Sequence, residues 1–168
     1  MDIKEEFSKV RGGDKDAFAR IYNELKTPVF TVACRIVRSR ETAEDITHDV
    51  FVKLFVSPPT SEVKNPRAWV FRMTRNLSLD ALRKKRHADI EDAEEAAFDA
   101  FACTLERLDI ERAIAKLPLC EREILSLHTS GLGFSETADV VGLSLPATYR
   151  KYRKAIKTVR DYLNGGAL

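Results

Sequence analysis

The sequence predicts an all-α protein built as two small helical domains. Three observations carry that expectation. Apolar residues recur at spacings of three and four along nearly the whole chain, no stretch shows strand-like alternation bounded by turns, and seven glycines and six prolines punctuate the periodic stretches. A chain of 168 residues, 44 % hydrophobic and 32 % charged, can bury one core or two small ones, but not a large catalytic scaffold.

The elements follow in order. Asp14 or Asp16 can cap a helix carrying Phe18, Ile21, Tyr22, Leu25, Val29, Phe30 and Val32, and Pro28 predicts a kink or break within it, because proline lacks an N–H and crowds the preceding turn. Ser39 offers the next N-cap, followed by Glu41, Glu44 and Asp45 where the helix dipole favours anions, with Ile46, Val50, Phe51, Leu54 and Phe55 along one side. "SPPTSEVKNP", Ser57 to Pro66, cannot continue that helix and reads as an ordered loop. Asn65 before Pro66 is a cap and first turn for the following helix. Residues 88–107 are acidic, with apolar residues only in short clusters, and read as a flexible linker between domains at 1–87 and 108–168. Beyond it, Ile110, Ile114 and Leu117 close one helix, Pro118 opens another through Leu127, and Gly131 and Gly133 end it. Ser135 can cap a short helix to Val141, Gly142 can make a tight turn, and Ser144 can cap a last helix whose Pro146 sits in the first turn. That succession is a helix-turn-helix layout, with small Ala138 where two helices meet closely.

Net charge is only +2, but its distribution is uneven. Arg67 to Arg86 holds seven Lys/Arg against Asp80, Ala88 to Arg107 holds seven Asp/Glu against Arg107, and Arg150 to Arg160 holds six Lys/Arg and no acid. Segregation on this scale makes two cationic surfaces with an anionic connector. The three cysteines, Cys34, Cys103 and Cys120, are far apart and without histidines at metal-ligand spacing, so they read as reduced, small apolar residues rather than a disulfide framework or a zinc site. No cofactor or metal is expected. No apolar run is long enough to span a bilayer, and "MDIKEEFSKV" lacks the basic start and apolar middle of a secretion signal, so the expected location is the cytoplasm, without membrane insertion.

Two helices carry the functional chemistry. On the helix after Pro66, Val70, Met73, Leu77 and Ala81 share an arc that can face a core, while Arg72, Asn76 and Arg83 gather beside Trp69, flanked by Arg75 and Arg86. Arginine pairs with phosphate and stacks on bases, asparagine reads a base edge, and an indole is a platform for an unstacked base, a combination that suits single-stranded or opening nucleic acid. On the last helix, Leu145, Thr148, Tyr152, Ala155, Ile156, Val159, Tyr162 and Leu163 fall on one side and Arg150, Arg153, Lys154, Lys157 and Arg160 on the other. A basic face behind a capped turn points to duplex DNA.

The order of these parts resembles the extracytoplasmic-function sigma factors of the bacterial sigma-seventy family over nearly the whole chain. "ETAEDITHDVFVKLF" is similar to the family's core-polymerase-binding helix, with His48 in place of a usual glutamine. "AWVFRMTRNLSLDALRKKR" is similar to the promoter-melting helix, its pattern met by Trp69, Met73, Arg75, Asn76, Asp80 and Arg83, and "LPLCEREILSLHTSGLGFSETADVVGLSLPATYRKYRKA" is similar to the domain that reads the minus-thirty-five element. The resemblance implies docking on the clamp helices of the largest subunit of core RNA polymerase through Glu44, Asp45, His48, Asp49, Phe51 and Lys53. It implies minus-ten DNA contacts from Trp69, Arg72, Arg75, Asn76, Arg83, Lys84 and Arg86. It implies minus-thirty-five contacts from Ser144, Ala147, Tyr149, Arg150, Arg153, Lys154 and Lys157, and an anti-sigma factor as a further partner. Thr137, Thr148, Tyr149 and Ile156 depart from the family's usual residues, and the two threonines can face each other in the small domain's core, each needing a backbone acceptor.

A binding factor for polymerase and promoter DNA, with no catalytic residue of its own, is therefore the expected function. The alternative is a stand-alone helix-turn-helix regulator occupying an operator. A nuclease or nucleotidyltransferase fits poorly, because the carboxylates are not arranged with histidines or cysteines as a metal cage and no glycine-rich phosphate loop precedes a helix.

Overall fold

The structure is a computed structural model that describes residues 2–88 and 108–165. Among them run eight helices and no strand: α1 (Ile3–Arg11), α2 (Lys15–Val37), α3 (Arg40–Val56), α4 (Pro66–Ala88), α5 (Leu108–Ala115), α6 (Leu119–Thr129), α7 (Phe134–Val141) and α8 (Leu145–Leu163). Past Ala88, the acidic stretch expected to be a linker lies outside the described residues.

Helix starts follow the side chains able to satisfy free N–H groups. Asp14 Oδ1 accepts from the N–H groups of Asp16 and Ala17, both at 2.9 Å. Ser39 Oγ accepts from Thr42 N at 3.3 Å, and Asn65 Oδ1 from Ala68 N at 3.0 Å. Helix α1 is an addition to the expected elements: Asp2 caps it at Lys4 N, and Phe7 and Val10 bury its inner face.

Helix α2 runs unbroken through Pro28, against the expected kink or break. Interior proline costs about 3 kcal/mol, but Leu25, Val29, Val32 and Ile36 are fully buried on both sides of it, and each such side chain contributes about 1.5–3 kcal/mol. Burial of the two halves against one core outweighs the lost hydrogen bond. The helix ends at Arg38, which adopts a left-handed conformation (φ 57°) and donates its N–H to Cys34 O at 2.8 Å, turning the chain directly into α3.

Helix α2 is central, packing against α1, α3, α4 and α6. Its buried residues join Val50 and Leu54 of α3 and Val70 and Phe71 of α4 in one apolar cluster, which continues into Leu127 of α6, Leu132 of the following turn and Val140 of α7. A smaller cluster unites Ile114, Leu117, Leu125 and Ala155, with Ile110, Tyr152, Ile156 and Val159 packed on it. Helix α6 serves both: Leu125 and Leu127, about 200° apart around the axis, face opposite sides.

The inner face of α4 is rotated from the expected arc. Val70, Phe71, Thr74 and Ser78 are fully buried, whereas Met73, Leu77 and Ala81 are only partly so. The hydroxyls enter the core because each is satisfied locally, Thr74 Oγ1 donating to Val70 O at 2.9 Å and Ser78 Oγ to Thr74 O at 2.8 Å. Cys34 is buried and disulfide-bonded rather than a plain thiol, a pairing that spacing along the chain cannot reveal. Cys120 is a free thiol whose pKa is pushed up by burial. Among the described residues, no helix is long and apolar enough to cross a membrane.

Truncating the fully buried Phe71 to Ala should cost about 3–5 kcal/mol of unfolding free energy. Removing Phe55, which is half exposed and meets Phe18 edge-on, should cost roughly 1 kcal/mol. Urea titrations of the two variants check the contrast.

Candidate nucleic-acid and protein interfaces

Three surfaces of different chemistry are exposed on the fold. The first is an apolar groove of about 540 Å³ between α2 and α3, lined by Phe18, Tyr22 and Phe30 on one side and by Thr47, His48, Phe51, Val52 and Phe55 on the other, with Glu44 at its edge. Edge-to-face pairs, Phe18 with Phe55 at 5.1 Å and Tyr22 with Phe51 at 4.8 Å, hold its walls. Phe55 is 54 % exposed and Val56 73 %, so α3 turns a continuous apolar strip toward solvent beside exposed Glu44, Asp45, His48, Asp49 and Lys53. Phe51 is buried and presents to the groove only what the packing of Tyr22 leaves open.

The second surface is the outer face of α4. Arg72, Asn76, Arg83, Lys84 and Arg86 are exposed, and Arg83 pairs with Asp80 on its own helix at 2.8 Å. Trp69 is partly buried against the large apolar cluster rather than standing free as a platform. The amino-terminal half of this face is in contact with α6 and α7. Arg67 Nη2 donates to Ser130 O at 2.9 Å, Arg72 Nη2 to Asp139 O at 3.1 Å and Arg75 Nη2 to Glu123 Oε2 at 3.3 Å, and Asn65 Nδ2 donates to Glu136 Oε1. Below these contacts lies a run of buried charge. Burial raises the pKa of Glu123, partly offset by Arg75, and pushes Arg122 down to about 10, with the nearby positive charge of Arg38 acting the same way.

The third surface is on α8. Gly142 takes up a left-handed conformation (φ 74°), and the N–H groups of Gly142 and Leu143 both donate to Ala138 O, at 2.9 and 3.1 Å, closing the turn that expectation placed there. Ser144 Oγ accepts from Ala147 N at 3.4 Å. Helix α7 begins two residues earlier than expected. Gly133 is its N-cap, donating its N–H to Glu136 Oε2 at 2.8 Å, so Ser135 lies inside the first turn instead of capping it. Arg150, Arg153, Lys154, Lys157 and Arg160 line a concave basic surface of about 560 Å³ with Tyr152 and Ile156, and Ser144 and Tyr149 are exposed near its start, with Ala147 half-buried. The inner face holds Thr148 and Ala155, while Leu145 and Leu163, expected there, are exposed at the two helix ends, where no neighbour among the described residues covers them. Phe134 stacks on His128 at 4.1 Å and receives the edges of Tyr149 and Tyr152 at 5.2 and 5.0 Å, fixing α8 on α7. Thr148 Oγ1 finds Ser144 O at 3.0 Å, whereas buried Thr137 Oγ1 has no partner among the described residues.

Residues 21–88, which span most of α2 together with α3 and α4, match the family model described as Sigma-70 region 2. The chain is 28 % identical over 151 residues to the ECF RNA polymerase sigma factor SigW of Bacillus subtilis, covering 89 % of this chain and 75 % of that one. It is 28 % identical over 162 residues to the ECF RNA polymerase sigma factor RpoE of Cereibacter sphaeroides, covering 90 % and 88 %. Residues 21–88 are thus a sigma-70 region 2 segment, and the chain is similar over most of its length to extracytoplasmic-function sigma factors. Its fold is similar to that of CnrH solved with the cytosolic domain of CnrY (TM-score 0.70, 22 % identity, 98 % of each chain). It is also similar to the sigma factor RpoE solved with the anti-sigma factor NepR from Bartonella quintana (TM-score 0.71, 20 % identity, 90 % of this chain and 98 % of that one).

The matched region carries both the basic face of α4 and most of the apolar groove. Sequence reasoning missed Phe18, Tyr22 and Val52 as groove residues, although three apolar residues within five positions, Val52, Phe55 and Val56, exceed what one buried helical stripe uses. It also missed Asn65, Arg67, Glu123 and Glu136, whose pairing depends on how distant helices meet. Among the described residues, no group of three or more His, Cys, Asp or Glu is arranged to hold a metal ion.

Because burial raises the Glu123 pKa, the folded chain holds that proton more tightly than the unfolded chain. The stability Glu123 contributes is full below the ordinary glutamate value and falls as pH rises through the folded value. Melting temperatures of Glu123→Gln and the parent should therefore diverge in favour of the variant as pH rises above the ordinary glutamate range. A constant difference over that rise would remove Glu123 from the account.

Proposed function

We propose that this chain is a promoter-specificity subunit that docks on core RNA polymerase, directs it to promoters with minus-thirty-five and minus-ten elements, and promotes strand opening for transcription initiation. The observation that carries the reading is that one small chain exposes an apolar groove and two basic helical faces on three separate surfaces. A stand-alone operator-binding regulator would use the basic face of α8 and leave the groove without a purpose.

In this reading residues 1–87 form the polymerase and minus-ten module, 108–168 the minus-thirty-five module, and 88–107 an acidic connector. The groove of α2 and α3, rimmed by Glu44, Asp45, His48, Asp49 and Lys53, receives the clamp helices of the polymerase's largest subunit. Apolar burial supplies affinity and the rim charges supply orientation. The face of α4 holds non-template bases as they unstack, with Arg72, Asn76 and Arg83 supplying phosphate and base-edge contacts. Capture at roughly 1–3 kcal/mol per stacked base offsets an unstacking cost of a few kcal/mol. The basic surface of α8 lies along duplex phosphates in the major groove, with Ser144, Ala147, Tyr149 and Arg150 nearest the bases. The chain acts in the cytoplasm through binding, without chemistry of its own. The solved sigma factor RpoE in complex with the anti-sigma factor NepR supports an inhibitory protein partner of the same kind here.

Arg72→Ala with Asn76→Ala should abolish open-complex formation by reconstituted polymerase while leaving polymerase binding intact, as permanganate footprinting and co-purification would show. Equal loss of both would remove α4 from strand opening. Arg150→Ala with Lys157→Ala should lower the slope of log affinity against log salt by about 2 for duplex promoter DNA, one unit for each phosphate no longer neutralised.

A further inference from the structure

Leu145 and Tyr149 are large side chains that belong to neither apolar cluster. Leu145 is 48 % exposed and Tyr149 47 %. Both lie in the first turns of α8. Successive residues stand about 100° apart around a helix axis, so Leu145, Tyr149, Arg153 and Lys157 follow one another at about 40° and form a single ridge. The ridge is apolar at its amino-terminal end and cationic beyond it. Arg153 and Lys157 are exposed, and among the described residues neither they nor Arg150 has an acidic partner, whereas Lys154 beside them is paired with Glu121 at 3.0 Å.

The apolar end is also held in place. Gly142 and Leu143 close the turn on Ala138, Ser144 caps α8, and the Tyr149 ring meets Phe134 edge-on at 5.2 Å. Order is present before any ligand arrives, so less freedom is lost on binding. A fitting ligand carries small apolar groups recessed between rows of anions. The major groove of B-DNA answers to that description: it admits one helix between its phosphate strands, and the methyl it displays is the C5-methyl of thymine. Residues at the amino-terminal end of a helix laid in that groove are the ones that reach base edges. An acidic protein surface would satisfy the cations and leave the two apolar side chains uncovered.

We propose that Leu145 and Tyr149 form a methyl-reading edge, so that the duplex element bound by α8 is chosen in part by the C5-methyl of thymine. The inference rests on the function proposed above and adds to it what α8 reads. Cytosine at the same position presents an amino donor and no methyl, so the edge favours a T·A pair over a C·G pair. Arg153 and Lys157 grip phosphates further along the ridge, which positions the helix without choosing a sequence.

The experiment selects duplexes from a random-sequence pool twice, once with holoenzyme reconstituted from the full chain and bacterial core RNA polymerase and once with the full chain alone, in the cold so that strands stay paired. Each thymine of a recovered duplex is then replaced singly by deoxyuridine, which deletes the methyl and leaves the hydrogen-bonding edge intact. At one or more positions the replacement should weaken binding about fourfold, the effect of one buried methyl group. Leu145→Ala should lower affinity for the thymine duplex by a similar factor and bring the thymine-to-uracil ratio at such a position to one, whereas Leu145→Met should keep most of it. Lys157→Ala should weaken both duplexes alike and leave the ratio at its parental value. Should Leu145→Ala lose helix content by circular dichroism, Leu145→Gln takes its place. A parental ratio of one at every thymine, or a ratio that survives both Leu145→Ala and Tyr149→Ala, overturns the methyl edge. So does a Leu145→Ala chain that loses affinity for polymerase while its ratio stands, which assigns the edge to a protein contact. Recovery of a duplex by the free chain, with no complex formed with polymerase, removes the docking proposed above, and the comparison of thymine with uracil still decides the edge. Recovery of no duplex by either form overturns both.

Discussion

The burial of α2 on several sides is the constraint from which the other surfaces follow. Ile21, Leu25, Val29, Val32 and Ile36 lie fully inside, and α1, α3, α4 and α6 are arranged around them. With the inner faces of α3 and α4 committed to this axis, the apolar strip of α3 has no cover among the described residues, and Arg72 and Arg83 of α4 are turned toward solvent. The functional surfaces are thus the remainder left by one packing solution. The cost of Pro28 is absorbed in the same place, since the helix is held by neighbours on both sides of the missing hydrogen bond.

Charge is distributed between two regimes. Lys9, Arg20 and Arg40 pair with Glu6 and Glu44 near the surface, where solvent screens them and each contributes little. Arg35 with Glu111 and Arg75 with Glu123 are removed from water, and there desolvation competes with attraction. Glu123 records that competition directly, since burial raises its pKa despite the adjacent Arg75. Buried pairs of this kind add little net stability over apolar packing. They do penalise arrangements in which one partner is left alone, and so specify how the carboxy-terminal helices sit against α2 and α4.

Local chemistry was legible in the sequence. Asp14, Ser39, Asn65, Gly142 and Ser144 perform the capping and turning roles their types suggest, because those roles depend on neighbours within four residues. The three candidate surfaces were legible for a similar reason, as charge runs and family motifs are contiguous. What escaped was long-range. The inner face of α4 falls on Phe71, Thr74 and Ser78 because hydroxyls that bond back to their own helix count as apolar when packed, which a hydropathy pattern does not register. Phe55 looked like core and is exposed, since periodicity marks a face but not whether another helix covers it. The contacts of Arg67, Arg72 and Arg75 with α6 and α7 join residues about fifty to seventy positions apart, and no motif announces them.

Trp69 is the single tryptophan of the chain and sits half-buried at the root of α4, between the large apolar cluster and the arginine-bearing face. Ultraviolet emission from this protein therefore originates at one address, next to the arginines of α4 that contact α6 and α7. The molecule carries its own optical gauge of those contacts, and rearrangement there could be followed without attaching a dye.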